Sequence, residues 1–340
     1  MRLPFFFAPS TLEPASVSTL RVTSIADMAG TLMYFNGGGS MPIKTIVVAL
    51  ALEDDNPYIA QRAIQLANQH RAQLIGVHVT DSLPEQDIPL PPAVNAAVLN
   101  NSIHEHSRDQ LRGLLSATDK PAIIQVEAGR PHEVIQRIAT DCDADLLIIG
   151  PGAATGLREK VFGSTADRLV RSAPCPVLVI RNRVNGPYAQ IAVGVDFTEY
   201  ASAAAYWAEQ LAPDAKRELI HAFKVPHTFE QAMLKSGTSS VDIDLYRQAR
   251  VKAARQQIRN QLIDQGQLPA DTQLHVIHGD PGLALIGISQ QQATDLVALG
   301  TQGANAVAQH VLGSVARKVL AGAQSDVLAV PASAIDRTSA

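Results

Sequence analysis

The chain has 340 residues, long enough for two domains of ordinary size, with 46% hydrophobic and 18% charged residues and a formal net charge of −4. Mild acidity and 4% aromatic residues supply neither the basic stripe of a nucleic-acid binder nor the stacking platform of a single-strand binder. No apolar run reaches the ~18 residues of a membrane-spanning helix, and the two cysteines, Cys142 and Cys175, lack metal-like spacing and read as reduced thiols of a cytoplasmic protein.

Residues 1–40 differ in character from the remainder of the chain: Leu3-Pro4-Phe5-Phe6-Phe7-Ala8 is apolar but short and broken by proline, and the other positions are Ser, Thr, Ala and Gly with little periodicity. This segment reads as a disordered tail. Gly37-Gly38-Gly39 just before Met41 also implies a purine-rich codon stretch like a translated ribosome-binding site, so Met41 is an alternative start.

From Met41 the pattern is regular. Ile43 to Leu50 is a Val/Ile-rich run of the kind buried on both faces of a parallel sheet. A helical stripe follows over Pro57 to His70, a strand over Gln73 to Val79, and a Pro-rich irregular stretch over Asp81 to Pro92. Helices are predicted over Val94 to Thr118, Glu133 to Thr140 and Ser164 to Ser172, and strands over Ala122 to Glu127, Asp145 to Gly150 and Pro176 to Ile180. The order then begins again. Strands are predicted over Gln190 to Val195, Glu218 to Phe223, Gln273 to Ile277, Asp295 to Leu299 and Asp326 to Val330. The intervening helices cover Ala201 to Leu211, Val241 to Asp264, Ala284 to Gln292 and a segment from Ser314.

The halves superimpose at an offset of 145 near the first strand (Ile46 onto Ile191) and of 150 later (Pro131 onto Pro281, Asp145 onto Asp295, Gly150 onto Gly300, Gly163-Ser164 onto Gly313-Ser314). A single five-residue insertion between the second and third strands is the simplest account of the change. A register held across several motifs indicates internal duplication. The expected fold class is α/β: two tandem doubly wound domains, each with a five-stranded parallel sheet flanked by helices, over residues 41–183 and 190–335, joined by a linker at 184–189 and followed by a tail at 336–340.

One stretch carries chemistry. Gly300-Thr301-Gln302-Gly303, nine residues, then Gly313-Ser314 follow the strand Asp295 to Leu299 and open a helix. Glycines let the backbone approach a ligand, and free N–H groups at a helix start attract an anion such as phosphate. Asp196 ends the first strand of the same half, and ligands in such sheets bind beyond the strands' carboxyl ends. A turn carboxylate at Asp196, a ligand-free tight turn at Gly300 and Gly303, and a simple N-cap at Ser314 are the plainer alternatives.

The spacing G-2x-G-9x-G-[S/T] after a fourth strand resembles the universal stress protein family, as does Gly163-Ser164-Thr165-Ala166-Asp167-Arg168-Leu169-Val170-Arg171-Ser172-Ala173-Pro174-Cys175-Pro176-Val177-Leu178-Val179-Ile180. The resemblance covers both repeats, from Met41 to Ala332. It implies binding of ATP or AMP, with or without Mg2+, and pairing of domains through their fifth strands. In a tandem chain that pairing would be within the molecule, with a homodimer left open. Carried over, the nucleotide residues are Gly194, Val195 and Asp196 on the first strand, Ala222 (or Phe223) ending the second, Leu299 beside the base or ribose, Gly300, Gln302 and Gly303 near the phosphates, and Gly313, Ser314 and Val315 at the terminal phosphates. The first half departs from this set, with Ala51 in place of Asp196 and Ala153 in place of Gly303; Arg158 and Lys160 lie on its loop.

Other chemistry finds no support. The P-loop, dinucleotide and nucleophile-elbow motifs are missing. His104 and His106 would diverge on a helix, and the basic series Arg247, Arg250, Lys252, Arg255 and Arg259 is interspersed with acidic residues as on a solvated face. The expectation is a non-enzymatic stress-response regulator binding ATP or AMP mainly in its second domain, with a degenerate first domain as structural partner. The alternative is a scaffold or chaperone-like protein with a vestigial pocket.

Overall fold

The structure is a computed structural model describing residues 43–52, 57–80, 95–152, 162–260, 272–291, 293–303 and 311–335. The expectations for residues 1–40, Met41, the Pro-rich stretch, Ala153, Arg158 and Lys160 lie outside these residues. The first half runs β1 (Thr45–Ala49), α1 (Pro57–His70), β2 (Gln73–Thr80), α2 (Ala96–Leu114), β3 (Ile123–Ala128), α3 (Pro131–Asp141), β4 (Leu146–Ile149), α4 (Ser164–Ser172) and β5 (Val177–Val179). The second runs β6 (Gln190–Gly194), α5 (Glu199–Leu211), β7 (Lys216–Phe223), α6 (His227–Lys235), α7 (Ser240–Ile258), β8 (Gln273–His278), α8 (Pro281–Ser289), β9 (Leu296–Gly300), α9 (Ser314–Gly322) and β10 (Asp326–Val330). The fold class is α/β with two doubly wound parallel halves.

All ten strands form one sheet in the order β3-β2-β1-β4-β5-β10-β9-β6-β7-β8. Within each half every pairing is parallel, whereas β5 and β10 pair antiparallel through Val177↔Ala329, Leu178↔Leu328 and Val179↔Val327. The central strands β4, β5, β9 and β10 are buried along nearly their whole length, which explains their unbroken apolar runs. One face packs against α1, α2, α5 and α7 with Trp207 in its core, and the other against α3, α4, α8 and α9.

The strand register corrects the expected repeat. Thr45 pairs with Gln73, but its counterpart Gln190 pairs with Lys216, so β2 superposes on β7 at an offset of 143. The third strands return to 150, since Gly76 faces Ile124 as Leu219 faces Leu274. Two residues are therefore lost between the first and second strands of the second half, and seven gained between its second and third. The motif offsets alone reveal only their difference. The gained length accompanies α6, an unexpected helix held to α7 by Arg247, whose Nη2 donates to Glu230 Oε1 at 2.7 Å while Nη1 reaches Asp244. Arg250 stands over the Phe223 ring, so the basic series is engaged by neighbours on at least two members.

Repeated aspartates begin the central strands. Asp145 Oδ2 accepts the Lys44 and Thr45 N–H groups at 2.7 and 2.9 Å, and Asp295 Oδ2 accepts those of Ala189 and Gln190 at 2.8 and 2.9 Å. Asp326, on β10, has no such counterpart in β5, where Pro176 stands. Its Oδ1 accepts the Arg181 and Asn182 N–H groups at 2.7 and 3.1 Å, and its Oδ2 accepts the Tyr188 hydroxyl at 2.7 Å. Arg62 of α1 stacks over the Tyr188 ring, places Nε 3.7 Å from Asp326 Oδ2 and donates to the Gly186 carbonyl at 2.8 Å. This carboxylate, 1% exposed, thus fastens the chain between the halves to both of them.

Asp326→Ala strips an acceptor from three buried or half-buried donors and leaves Arg62 without its carboxylate. It should cost about 3–5 kcal/mol, read as a lower denaturation midpoint in urea. Burial, reinforced by the neighbouring Asp326 charge, pushes the Tyr188 hydroxyl well above the ordinary tyrosine range. The unfolded chain ionises first, so the stability due to this group is present below about pH 10 and lost as pH rises further. Melting temperature measured from pH 9 to 11 should therefore fall more steeply in the parent chain than in Tyr188→Phe.

Candidate functional site

In each half the doubly wound order reverses beside the first strand, and the carboxyl ends of β6 and β9 part there in the second half. A cavity of about 530 Å³ opens at that point, within the range of small-molecule sites. Every residue of the expected set lines it: Gly194, Val195, Asp196, Ala222, Leu299, Gly300, Gln302, Gly303, Gly313, Ser314 and Val315. Phe223 does not line it; strand alternation turns that ring to the opposite face, where it packs with His221 and His278.

Asp196 Oδ1 accepts hydrogen bonds from the Thr198 N–H at 3.0 Å and from the Thr198 hydroxyl. This turn lets Thr198 stand at the N-cap of α5. The second carboxylate oxygen lies 3.3 Å from the position that a Cβ on Gly303 would take. Asp196 is therefore both a turn carboxylate and a wall of the cavity, and one oxygen remains directed across it.

The glycines divide by role. A Cβ on Gly300 would lie 2.7 Å from Tyr200 Cβ and 3.0 Å from the Tyr200 carbonyl, so this glycine is required by the approach of α5 to β9. A Cβ on Gly194 would lie 2.9 Å from Leu285 Cδ1, on the cavity side. Gly303 meets only the Asp196 oxygen, and Gly313 only the backbone of Thr301 and Gln302. The Gly313 N–H donates to the Thr301 carbonyl at 2.8 Å, bringing the start of α9 back to the end of β9. Gly163 makes the same bond to Pro151 at 2.9 Å in the first half.

Gly313, not Ser314, occupies the N-cap of α9, and Ser314 is the first helical residue. No side chain caps this end, so the N–H groups of the first turn face the cavity beside Ser314 and Val315. Thr301 and Gln302 are buried, and the apolar wall comes from Ile220, Leu285 and Leu312 besides Val195 and Leu299.

Sequence reasoning missed His221. Its Nδ1 lies 2.9 Å from the Val195 carbonyl, and since a carbonyl only accepts, Nδ1 carries the proton. His78 holds the Leu50 carbonyl at 2.8 Å in the same way, at the corrected offset of 143. The ring fixes the backbone immediately before Asp196 and lies 5.0 Å from the Phe197 ring. The signal was in the sequence but masked by the wrong offset.

In the first half, Ala49 stands where Gly194 does, and the corrected register puts Val79 where Ala222 is. Ala49, Val79 and Phe162 are partly buried against the hydrophobic cluster on this face of the sheet. Ala51 is exposed at the place of Asp196. His104 reaches Thr80 at 3.3 Å while His106 is exposed, and no group able to hold a metal ion occurs among the described residues. No helix among them is long and apolar enough to cross a membrane.

A model of the Universal stress protein family matches the chain twice, over residues 42–181 and 187–331. A putative universal stress protein of Staphylococcus saprophyticus is 28% identical over 143 residues, covering 41% of this chain and 83% of that protein. A functionally unknown protein of Pseudomonas aeruginosa shares the fold over 88% of this chain and 97% of its own, with TM-score 0.57 and 18% identity. A universal stress protein from Archaeoglobus fulgidus, solved in complex with dAMP, covers 41% of this chain and 98% of its own at 20% identity and TM-score 0.27.

The two classes of glycine make different demands. Gly300→Ala should cost about 1–3 kcal/mol of stability, measured by urea denaturation without ligand, because helix backbone must move. Gly303→Ala should change stability by less than about 1 kcal/mol, because only a side-chain oxygen lies near its added methyl.

Proposed function

Because the chain belongs to the universal stress protein family, we propose that it is a stress-response regulatory protein that binds an adenine nucleotide in the cavity of its second half. The carrying observation is convergence: the Asp196 carboxylate, the Gly300–Gly303 turn and the uncapped N-terminus of α9 all line one cavity. The base lies against the apolar wall between Ala222 and Leu299. Asp196 accepts ribose hydroxyls through the oxygen not held by Thr198. The phosphate rests beside Gly313 at the N–H groups of Ser314 and Val315, where the helix dipole favours an anion. Mg2+ would sit among the phosphates, since no protein cluster is built to hold it in the described residues.

The first half serves as the structural partner. Extra side-chain bulk at Ala49 and Val79 occupies the corresponding wall, and Ala51 offers no carboxylate. Among the described lining residues no side chain is placed as a general base with an activating partner, so the reading is of binding rather than turnover. Occupancy would regulate through any difference in nucleotide affinity between conformations.

Calorimetric titration of the ligand-stripped chain with AMP and with MgATP tests this. One site per chain is expected, weakened about 10- to 100-fold by Asp196→Ala through loss of hydrogen bonds to a charged acceptor. Two sites would overturn the assignment of the first half as a structural partner. No binding would favour the scaffold reading, for which Phe229, Leu234, Val241 and Leu245, all exposed on α6 and α7, are the candidate surface.

A further inference from the structure

At its carboxyl end β7 alternates between the two faces of the sheet. Ile220 and Ala222 line the cavity, and His221 between them is turned to the opposite face, where it is 6% exposed. From there it reaches both neighbours of Asp196. Its Nδ1 donates to the Val195 carbonyl at 2.9 Å, and its ring lies 5.0 Å from the Phe197 ring. The Phe223 ring, 6.4 Å away, stacks on the imidazole from the other side of the row. The Val195 N–H is held as well, by the Ile220 carbonyl at 2.9 Å. Both peptide groups of Val195 are thus pinned, which sets the direction in which Asp196 leaves the sheet. Thr198 then takes one carboxylate oxygen, and the other lies over the cavity beside Gly303.

The first half repeats this clamp without the carboxylate. His78 Nδ1 lies 2.8 Å from the Leu50 carbonyl, the Leu50 N–H donates to the Val77 carbonyl at 2.9 Å, and the next residue is Ala51. The clamp therefore closes a strand end in both halves, but only in the second does the backbone it holds carry a carboxylate. We infer that His221 is a positioning residue for nucleotide binding: from the far face of the sheet, it sets the affinity by aiming Asp196 across the cavity. A carboxylate held in place beforehand loses less freedom when the ligand arrives. The inference rests on the adenine-nucleotide reading above and adds to it a residue outside the cavity wall.

The test is calorimetric titration of the ligand-stripped full chain with AMP, alongside thermal melts without ligand. His221→Leu should weaken AMP binding about five- to twentyfold. His221→Asn, whose amide nitrogen stands as many bonds from the backbone as Nδ1, should bind within about threefold of the parent chain. His78→Leu removes the same clamp from the first half. It should lower the melting temperature much as His221→Leu does, yet leave AMP affinity within about twofold of the parent. In an Asp196→Ala background, His221→Leu should add less than about a twofold further loss, because the group it aims is gone. Unchanged affinity in folded His221→Leu, the same loss with and without Asp196, or an equal loss in His78→Leu overturns the inference and leaves the nucleotide site intact. Failure of the parent chain to bind AMP overturns the site reading and this inference with it. If His221→Leu does not fold, His221→Gln, whose amide stands one bond further out, takes its place under the same criteria.

Discussion

The antiparallel pairing of β5 with β10 is the interaction on which this architecture depends. A doubly wound half ending in its fifth strand has unpaired backbone donors and acceptors along one apolar edge, a template for unwanted association. Three residue pairs close that edge, and the side chains of both strands are fully buried there. Parallel strands need long crossovers, but nothing prevents two parallel sheets from meeting head to tail at one antiparallel seam. Asp326 anchors the same seam to the segment that joins the halves, since its two oxygens hold backbone from residues 181 and 182 and the hydroxyl of Tyr188. Burial of this carboxylate raises its proton affinity, while the hydrogen bonds and Arg62 draw it back. The junction tolerates the charge because every oxygen is used.

The duplication that is obvious in Gly150/Gly300 and Gly163/Gly313 hides unequal geometry. Both halves keep the loop-closing hydrogen bond, the histidine that holds the backbone after the first strand, and the aspartate that begins the fourth. These are structural and recur because the fold requires them. What differs is the lining: Gly194 against Ala49, Ala222 against Val79, Asp196 against Ala51. Each change is small in volume or charge and leaves the hydrogen-bonded frame alone, so one cavity can be altered without cost to the sheet.

Most of the fold was legible in the sequence because buried parallel strands announce themselves as continuous apolar runs, and β10 and α4 coincide with the expected segments. The helix α6 was not, because its exposed apolar residues Phe229 and Leu234 face no core and give no clear stripe. The repeat register failed for another reason. Two compensating length changes look like one when only distant motifs are compared, and strand pairing was needed to separate them. At the site, residue identities were readable from motif spacing, but not their division of labour. Gly300 lines the cavity, and its missing Cβ also makes room for Tyr200, a second role that spacing does not reveal. The partners of Asp326 were not legible either, because they come from residues 181, 182 and 188, distant in sequence.

The seam joins two halves of one chain, and this changes the law that governs it. In an association of separate subunits, the paired fraction falls on dilution and each partner must remain fit to meet another copy of itself. Here each fifth strand meets its complement at an effective concentration set by a short covalent tether, whatever the amount of protein in the cell. Pairing becomes a first-order event. The two edges are also released from self-complementarity, since β5 need only fit β10. An acid can then sit where its counterpart has proline, because neither strand must also pair with a copy of itself.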